Sequence, residues 1–154
     1  MNIFVVDRDP VIAAQQLCDK HVVKMILETA QMLCTVAHQH GYKAPYKVAH
    51  PKHPCTIWAG KSAANWQWLI DHGLAMAEEY TRRYGRQHKS EEVIRWCARL
   101  PIGFPEKDLT PFAQAMPQQY KNPCVVTAYR AYYQGEKAAF ATWKSEVPKW
   151  WTVA

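Results

Sequence analysis

Residues 18–33 read CDKHVVKMILETAQML, and the helical pattern they belong to continues to about His40. On a wheel of about 100° per residue, His21, Lys24, Glu28, Gln31 and Thr35 share one arc of about 100°, with Lys20 and His38 at its edge. The rest of the circumference, from Val22 and Met25 round to Leu33 and Val36, is apolar. A helix on an open surface shows a broader polar face than this. The pattern therefore predicts a helix packed on most sides, whose narrow polar strip floors a cleft.

The elements around it read as helices too. Asp9-Pro10 supplies an N-cap acceptor followed by proline at the first helical position, and the pattern it opens is broken near Cys18-Asp19 and ended by Gly41. The stretch 42–54, YKAPYKVAHPKHP, is a proline-rich basic loop. A long helix is expected from about Cys55 to Tyr84, stopped by Gly85, and Ser90 is expected to cap another, SEEVIRWCARL. Five prolines punctuate 101–123, and Asn122-Pro123 opens a last helix expected to reach about Trp143. The apolar run IFVV at 3–6 has the composition of an extended segment. The expected fold is all-α: one domain over 1–154, a compact bundle of about four helices with long proline-rich loops.

Composition narrows the function classes. With 154 residues, 49% of them hydrophobic, the chain supports one buried core and is neither disordered nor divisible into two domains. No apolar run approaches the roughly 18 residues of a membrane span. MNIFVVDRDP lacks the basic lead and the length of a secretory signal, so a cytoplasmic protein with no membrane association is expected. The five cysteines are widely spaced with no CxxC pair, as small core residues would be. A net charge of +6 favours a polyanion partner. Cations cluster in RRYGRQHK (82–89), and aromatics interleave with cations in YRAYYQGEK and WKSEVPKWW, an arrangement suited to nucleic acid as well as to the core and rim of a helical domain.

Among chemical motifs, there is no GxSxG, GxxxxGK[ST], GxGxxG or zinc-deaminase signature. HPKHPC (50–55) offers His50, His53 and Cys55 as ligands for a small metal-binding protein, though its spacing matches no finger. On the polar strip, Glu28 with His21 and Lys24 forms a group suited to proton transfer or to stabilising a cation. The structural alternative is an ordinary i,i+4 pair beside a satisfied histidine.

Three stretches resemble the pyrimidine-dimer DNA glycosylase family, the phage endonuclease V superfamily with its short bacterial relatives. LCDKHVVKMILETAQML resembles the family's first long helix, where a histidine sits seven residues before a catalytic glutamate, as His21 does before Glu28. HPCTIWAGKSAANWQWLIDHGLAMAEEYTRRYG resembles its next helix, and AMPQQYK with VPKWW is similar to its tail. The resemblance implies an all-α domain that binds double-stranded DNA and cleaves the N-glycosidic bond of a damaged or modified pyrimidine. It implies an N-terminal amine that attacks the sugar C1′ to give a Schiff base. Glu28 would stabilise the cationic sugar and assist the elimination that adds AP-lyase cleavage.

Two features depart from the family pattern. Its nucleophile is a small residue exposed by methionine removal, which Asn2 would hinder. Either Met1 stays and offers its own amine, or the role passes to Lys24 or to a water activated by Glu28. Leu27 and Gln31 stand where the phage enzyme has arginines. The expected catalytic group is thus Glu28, Met1, His21 and Lys24, with no cofactor and no metal, in a monomer. Expected DNA contacts are Lys20, His53 and Lys61, with Arg82, Arg83, Arg86 and Lys89 from the basic run. The competing class is a DNA-binding module that keeps the fold without the chemistry.

Overall fold

The computed structural model describes residues 1–152, which are all-α: six helices, a single 3-10 turn at Gln118–Tyr120, and no strand. Helix α1 spans Pro10–Gln15, and its Asp9 cap accepts from the amides of Val11 and Ile12 at 2.8 and 3.1 Å. Helix α2 spans Asp19–Gln39, separated from α1 by the break at Cys18, and Gly41 follows it in the left-handed region at φ 86°.

The helix expected over 55–84 is two helices. Helix α3 (Pro54–Ala59) stops at Gly60, and α4 (Ala63–Tyr84) starts after Ser62, whose Oγ accepts the amide of Asn65 at 3.0 Å. A serine cap satisfies one of the free amides at a helix start, so GKS reads as stop and restart rather than as interior. Gly85, at φ 71°, ends α4.

Helix α5 spans Ser90–Ala98. Its cap is Lys89 rather than the expected Ser90, which is already helical and gives its amide to His88 Nδ1 at 3.0 Å. Helix α6 spans Val125–Glu136, starting two residues after the Asn-Pro pair and stopping well short of Trp143. The reason lies in the tail's partners. Thr142 accepts the amide of Asp19 at 2.7 Å, and the Trp143 and Trp150 indoles donate to Gln16 at 3.0 and 2.9 Å. Segment 137–152 therefore straps the α1–α2 junction instead of continuing the helix.

Helices α2, α4 and α5 pack round Gly73, where an added Cβ would lie 2.9 Å from Thr29 and 3.0 Å from Ile94. Any side chain there would force three helices apart. Residues 2–6 form no strand. They are buried between α2 and α6, with Phe4 stacked on His21 of α2 (centroids 4.3 Å) and the Val6 carbonyl accepting from Arg130 of α6 at 2.8 Å. An unpaired segment can be buried this way because side chains take up its backbone groups.

Candidate active site at the amino terminus

The buried start of the chain delivers its amine to the polar strip of α2. The Met1 amino group lies 2.8 Å from Glu28 Oε1. Asn2 sets this position. Its Oδ1 accepts from the Ile3 amide (2.8 Å), the Tyr129 hydroxyl (2.9 Å) and the Cys55 thiol (3.7 Å), and its Nδ2 donates to the Ala115 carbonyl at 2.8 Å. The Met1 side chain is 3% exposed, packed against the core, with its sulfur accepting from Thr56 Oγ1 at 3.8 Å. Met1 as a whole is only half-buried, so its accessible surface is main-chain. The thioether is an anchor and the amine end is presented.

Glu28 is 8% exposed, and its two oxygens differ. Oε1 holds the amine, whereas no hydrogen-bond donor among the described residues reaches Oε2. Lys24 Nζ stands 3.9 Å from Oε2 on a side chain that is 66% exposed. A buried carboxylate oxygen without a donor is costly, so Glu28 holds its place at the expense of folding stability.

His21 is buried in an aromatic box. Beyond Phe4, its ring lies 5.2 Å from that of Tyr133 and 5.7 Å from that of Phe140, and its Nδ1 is 2.5 Å from the Tyr133 hydroxyl. Burial, with the cations of Lys137, Lys24 and Lys20 nearby, lowers its pKa to about 3, so the ring is neutral. No hydrogen bond joins it to Met1 or Glu28 among the described residues. His53 reaches the site from another direction. It caps α3 through Nδ1, which accepts the Cys55 amide at 3.0 Å. Its pKa is lowered, first by burial and then by the Met1 amine and His50, against Glu28 and a bond to the Met1 backbone. Its tight approach follows a turn in which His50 adopts φ 46°.

The basic candidates divide. Lys20 is exposed with Nζ 4.5 Å over the Phe140 ring, beside His21. Arg86 and Lys89 are exposed on the α4–α5 loop, which His88 ties to α2 by donating Nε2–H to the Val23 carbonyl at 3.0 Å. Lys61 is exposed but follows the end of α3 remote from His53. Arg82 pairs with Glu79 and Glu78 and shares a groove with Asp71, Glu78 and Glu91. Arg83 is a different case. Its side chain is 1% exposed and bonds Glu79 (2.7 Å), Asp19 (3.0 Å) and the carbonyls of Leu17 and Gln15, which makes it a pin between α4 and the start of α2. A guanidinium so placed is not presented to a phosphate, and the expectation of a DNA contact there gives way to a structural role. Among the described residues no three His, Cys, Asp or Glu side chains converge on a metal position; within HPKHPC, His53 caps α3 and His50 lies in the turn before it.

The profile of a family described as pyrimidine dimer DNA glycosylase matches residues 1–92. The match takes in the amine, Glu28, His21, His53 and the basic run. The chain belongs to this family. Neither a curated protein nor a solved structure matches it. A glycosylase of this family acts on DNA, and no described helix is long and apolar enough to cross a membrane. The matched span ends inside α5, so Tyr129, Tyr133, Lys137 and Phe140, which pack against Asn2, Phe4 or His21, lie outside it. Sequence reasoning met Tyr129, Tyr133 and Lys137 only within the aromatic–cation stretch YRAYYQGEK, and named neither them nor Phe140, Asn2 and Phe4 as site residues. Their contacts with Asn2 or the His21 box join the two ends of the chain, and no local pattern signals that.

Proposed function

We propose that this chain is a DNA glycosylase with AP-lyase activity on a damaged or modified pyrimidine in duplex DNA, using the Met1 α-amine as nucleophile. The observation that carries the reading is the 2.8 Å pairing of that amine with a buried carboxylate whose second oxygen has no donor. Glu28 takes a proton from the ammonium, freeing the lone pair to attack C1′ of the sugar. The C1′–N bond breaks, its electron pair leaves with the base, and the base takes up a proton. The C1′–O4′ bond then breaks as the nitrogen lone pair forms the C1′=N bond, O4′ takes up the proton the amine gave up, and Glu28 faces the resulting cationic iminium. Removal of a C2′ proton then expels the 3′ phosphate by breaking C3′–O, and water hydrolyses the imine to return the amine.

Met1 fits this role better than Lys24, whose exposed ammonium lies 3.9 Å from Glu28 and lacks the burial that would make it a nucleophile. Retention of Met1 is part of the reading. Removing it would shift the amine by one Cα spacing, about 3.8 Å, away from Glu28. His21, neutral and held by Tyr133, braces the chain start through its stacking on Phe4, and Lys20, His53, Arg86 and Lys89 contact phosphates around the site.

Borohydride trapping on duplexes bearing a pyrimidine dimer or an abasic site tests this. The expected result is a covalent adduct mapping to Met1, absent in Glu28→Gln, with intact mass showing the methionine retained. An adduct on Lys24 would move the nucleophile. Base release without an adduct would make Glu28 the activator of a water, and DNA binding with neither product would leave a non-catalytic module.

A further inference from the structure

Next to Glu28 the surface of α2 changes character. Over residues 20–31, at about 100° per residue, the positions met on moving round the helix from Glu28 are Lys24, Gln31, Lys20, Leu27 and Val23. Lys20, Lys24, Leu27 and Val23 are exposed and Gln31 is half-buried, whereas His21, Glu28 and Thr35 are buried under the chain start and the 42–54 loop. The open window is therefore rotated away from the polar strip, and its far edge is aliphatic: Val23 is 39% and Leu27 41% exposed. Being i,i+4, the two form one ridge. Lys20 and Lys24 flank it on the side of Glu28. On the other side stands the α4–α5 loop with exposed Arg86 and Lys89, fixed to Val23 by His88.

An aliphatic ridge between two rows of cations gains little from folding, since much of it stays in water. It matches a partner that is anionic outside and apolar within. We infer that Leu27, backed by Val23, is a wedge that enters the base stack of duplex DNA while the flanking cations hold the phosphates on either side. This rests on the reading of the chain as a DNA-acting glycosylase. Chemistry at C1′ requires access to a sugar that an intact base stack shields, and apolar side chains inserted at a base step kink and open that stack. Leu27 precedes Glu28 on one helix, so the wedge and the reacting carboxylate keep a fixed offset.

The test places 2-aminopurine beside a dimer or abasic site in duplex DNA and reads its fluorescence on saturation with wild type, Leu27→Ala, Leu27→Met and Glu28→Gln. Wild type, Leu27→Met and Glu28→Gln should raise the signal several-fold. Leu27→Ala should bind within about threefold of wild type, since the cations remain, yet leave the fluorescence at the level of free duplex. A full rise with Leu27→Ala, or no rise with wild type, overturns the wedge. Glycosidic-bond cleavage on the dimer duplex, read as strand breakage at the abasic sugar it leaves, scores the glycosylase reading separately: unstacking without such cleavage by wild type would sink that reading and keep the wedge.

Discussion

Two buried ion-pair centres sit on the long helices, and they are built to opposite rules. At the α4 end, Glu79 is 2% exposed and uses both oxygens, one on Arg82 and one on Arg83. Arg83 spreads its remaining bonds over Asp19 and two carbonyls. At the α2 site, Glu28 is buried almost as deeply but spends one oxygen on an amine and leaves the other without a donor. Saturation marks the first as a clamp. The second oxygen without a donor, beside an amine on accessible main chain, fits the reaction centre proposed for the other.

Substitutions can break that contrast. Glu28→Gln should lower base release and trapping by roughly 10²–10⁴-fold while thermal melting barely moves, and equal losses of melting temperature and activity would erase the distinction. Arg83→Met should cost about 3–5 kcal/mol in urea unfolding by stranding the buried Glu79 charge, with activity per folded molecule retained. A variant that stayed fully stable but inactive would move Arg83 back to the DNA.

Each centre also has a buried neutral imidazole nearby. His72, 2% exposed, bonds the Pro10 carbonyl of α1 at 2.9 Å, and burial lowers its pKa to about 4; His21 is lowered to about 3. Because the unfolded chain binds these protons at higher pH, stability is complete above the ordinary histidine value of about 6.5 and falls as pH drops toward the folded values. At pH 5 each ring should cost about 2 kcal/mol relative to pH 7. Urea midpoints at the two pH values, with His21→Gln and His72→Gln each halving the difference, check this.

Smaller effects sharpen the picture. Asn2→Ala should cost about 1–3 kcal/mol by stranding buried partners, and should lower trapping beyond that loss because the amine is no longer pegged. Lys20→Ala should reduce the salt slope of DNA binding by about 1, whereas Arg82→Ala, set among glutamates, should leave it unchanged. A reversed order would relocate the DNA face to α4.

Much of the fold was legible in local signals. Asp9-Pro10, Gly41 and Gly85 end or begin helices through their own backbone preferences, and the apolar sweep of α2 made it central. The break at Gly60–Ser62 and the early end of α6 were not, because each is settled by partners distant in sequence or by a cap inside an apolar run. The strip of α2 reads as the floor of one cleft, and the structure splits it. His21, Glu28 and Thr35 are covered, while the open window turns toward Lys20 and Leu27.

The sequence by itself determined the helical class, the basic charge and the spacing of His21 and Glu28 on one helix, since periodicity and composition are local properties. Only the tertiary structure decided that Met1 meets Glu28, that Asn2 is the peg holding it there, and that Arg83 is a clamp. Those outcomes depend on where a buried, unpaired N-terminal segment comes to rest between α2 and α6, and contacts across more than a hundred residues, such as Asn2 to Tyr129, leave no periodic trace in the chain.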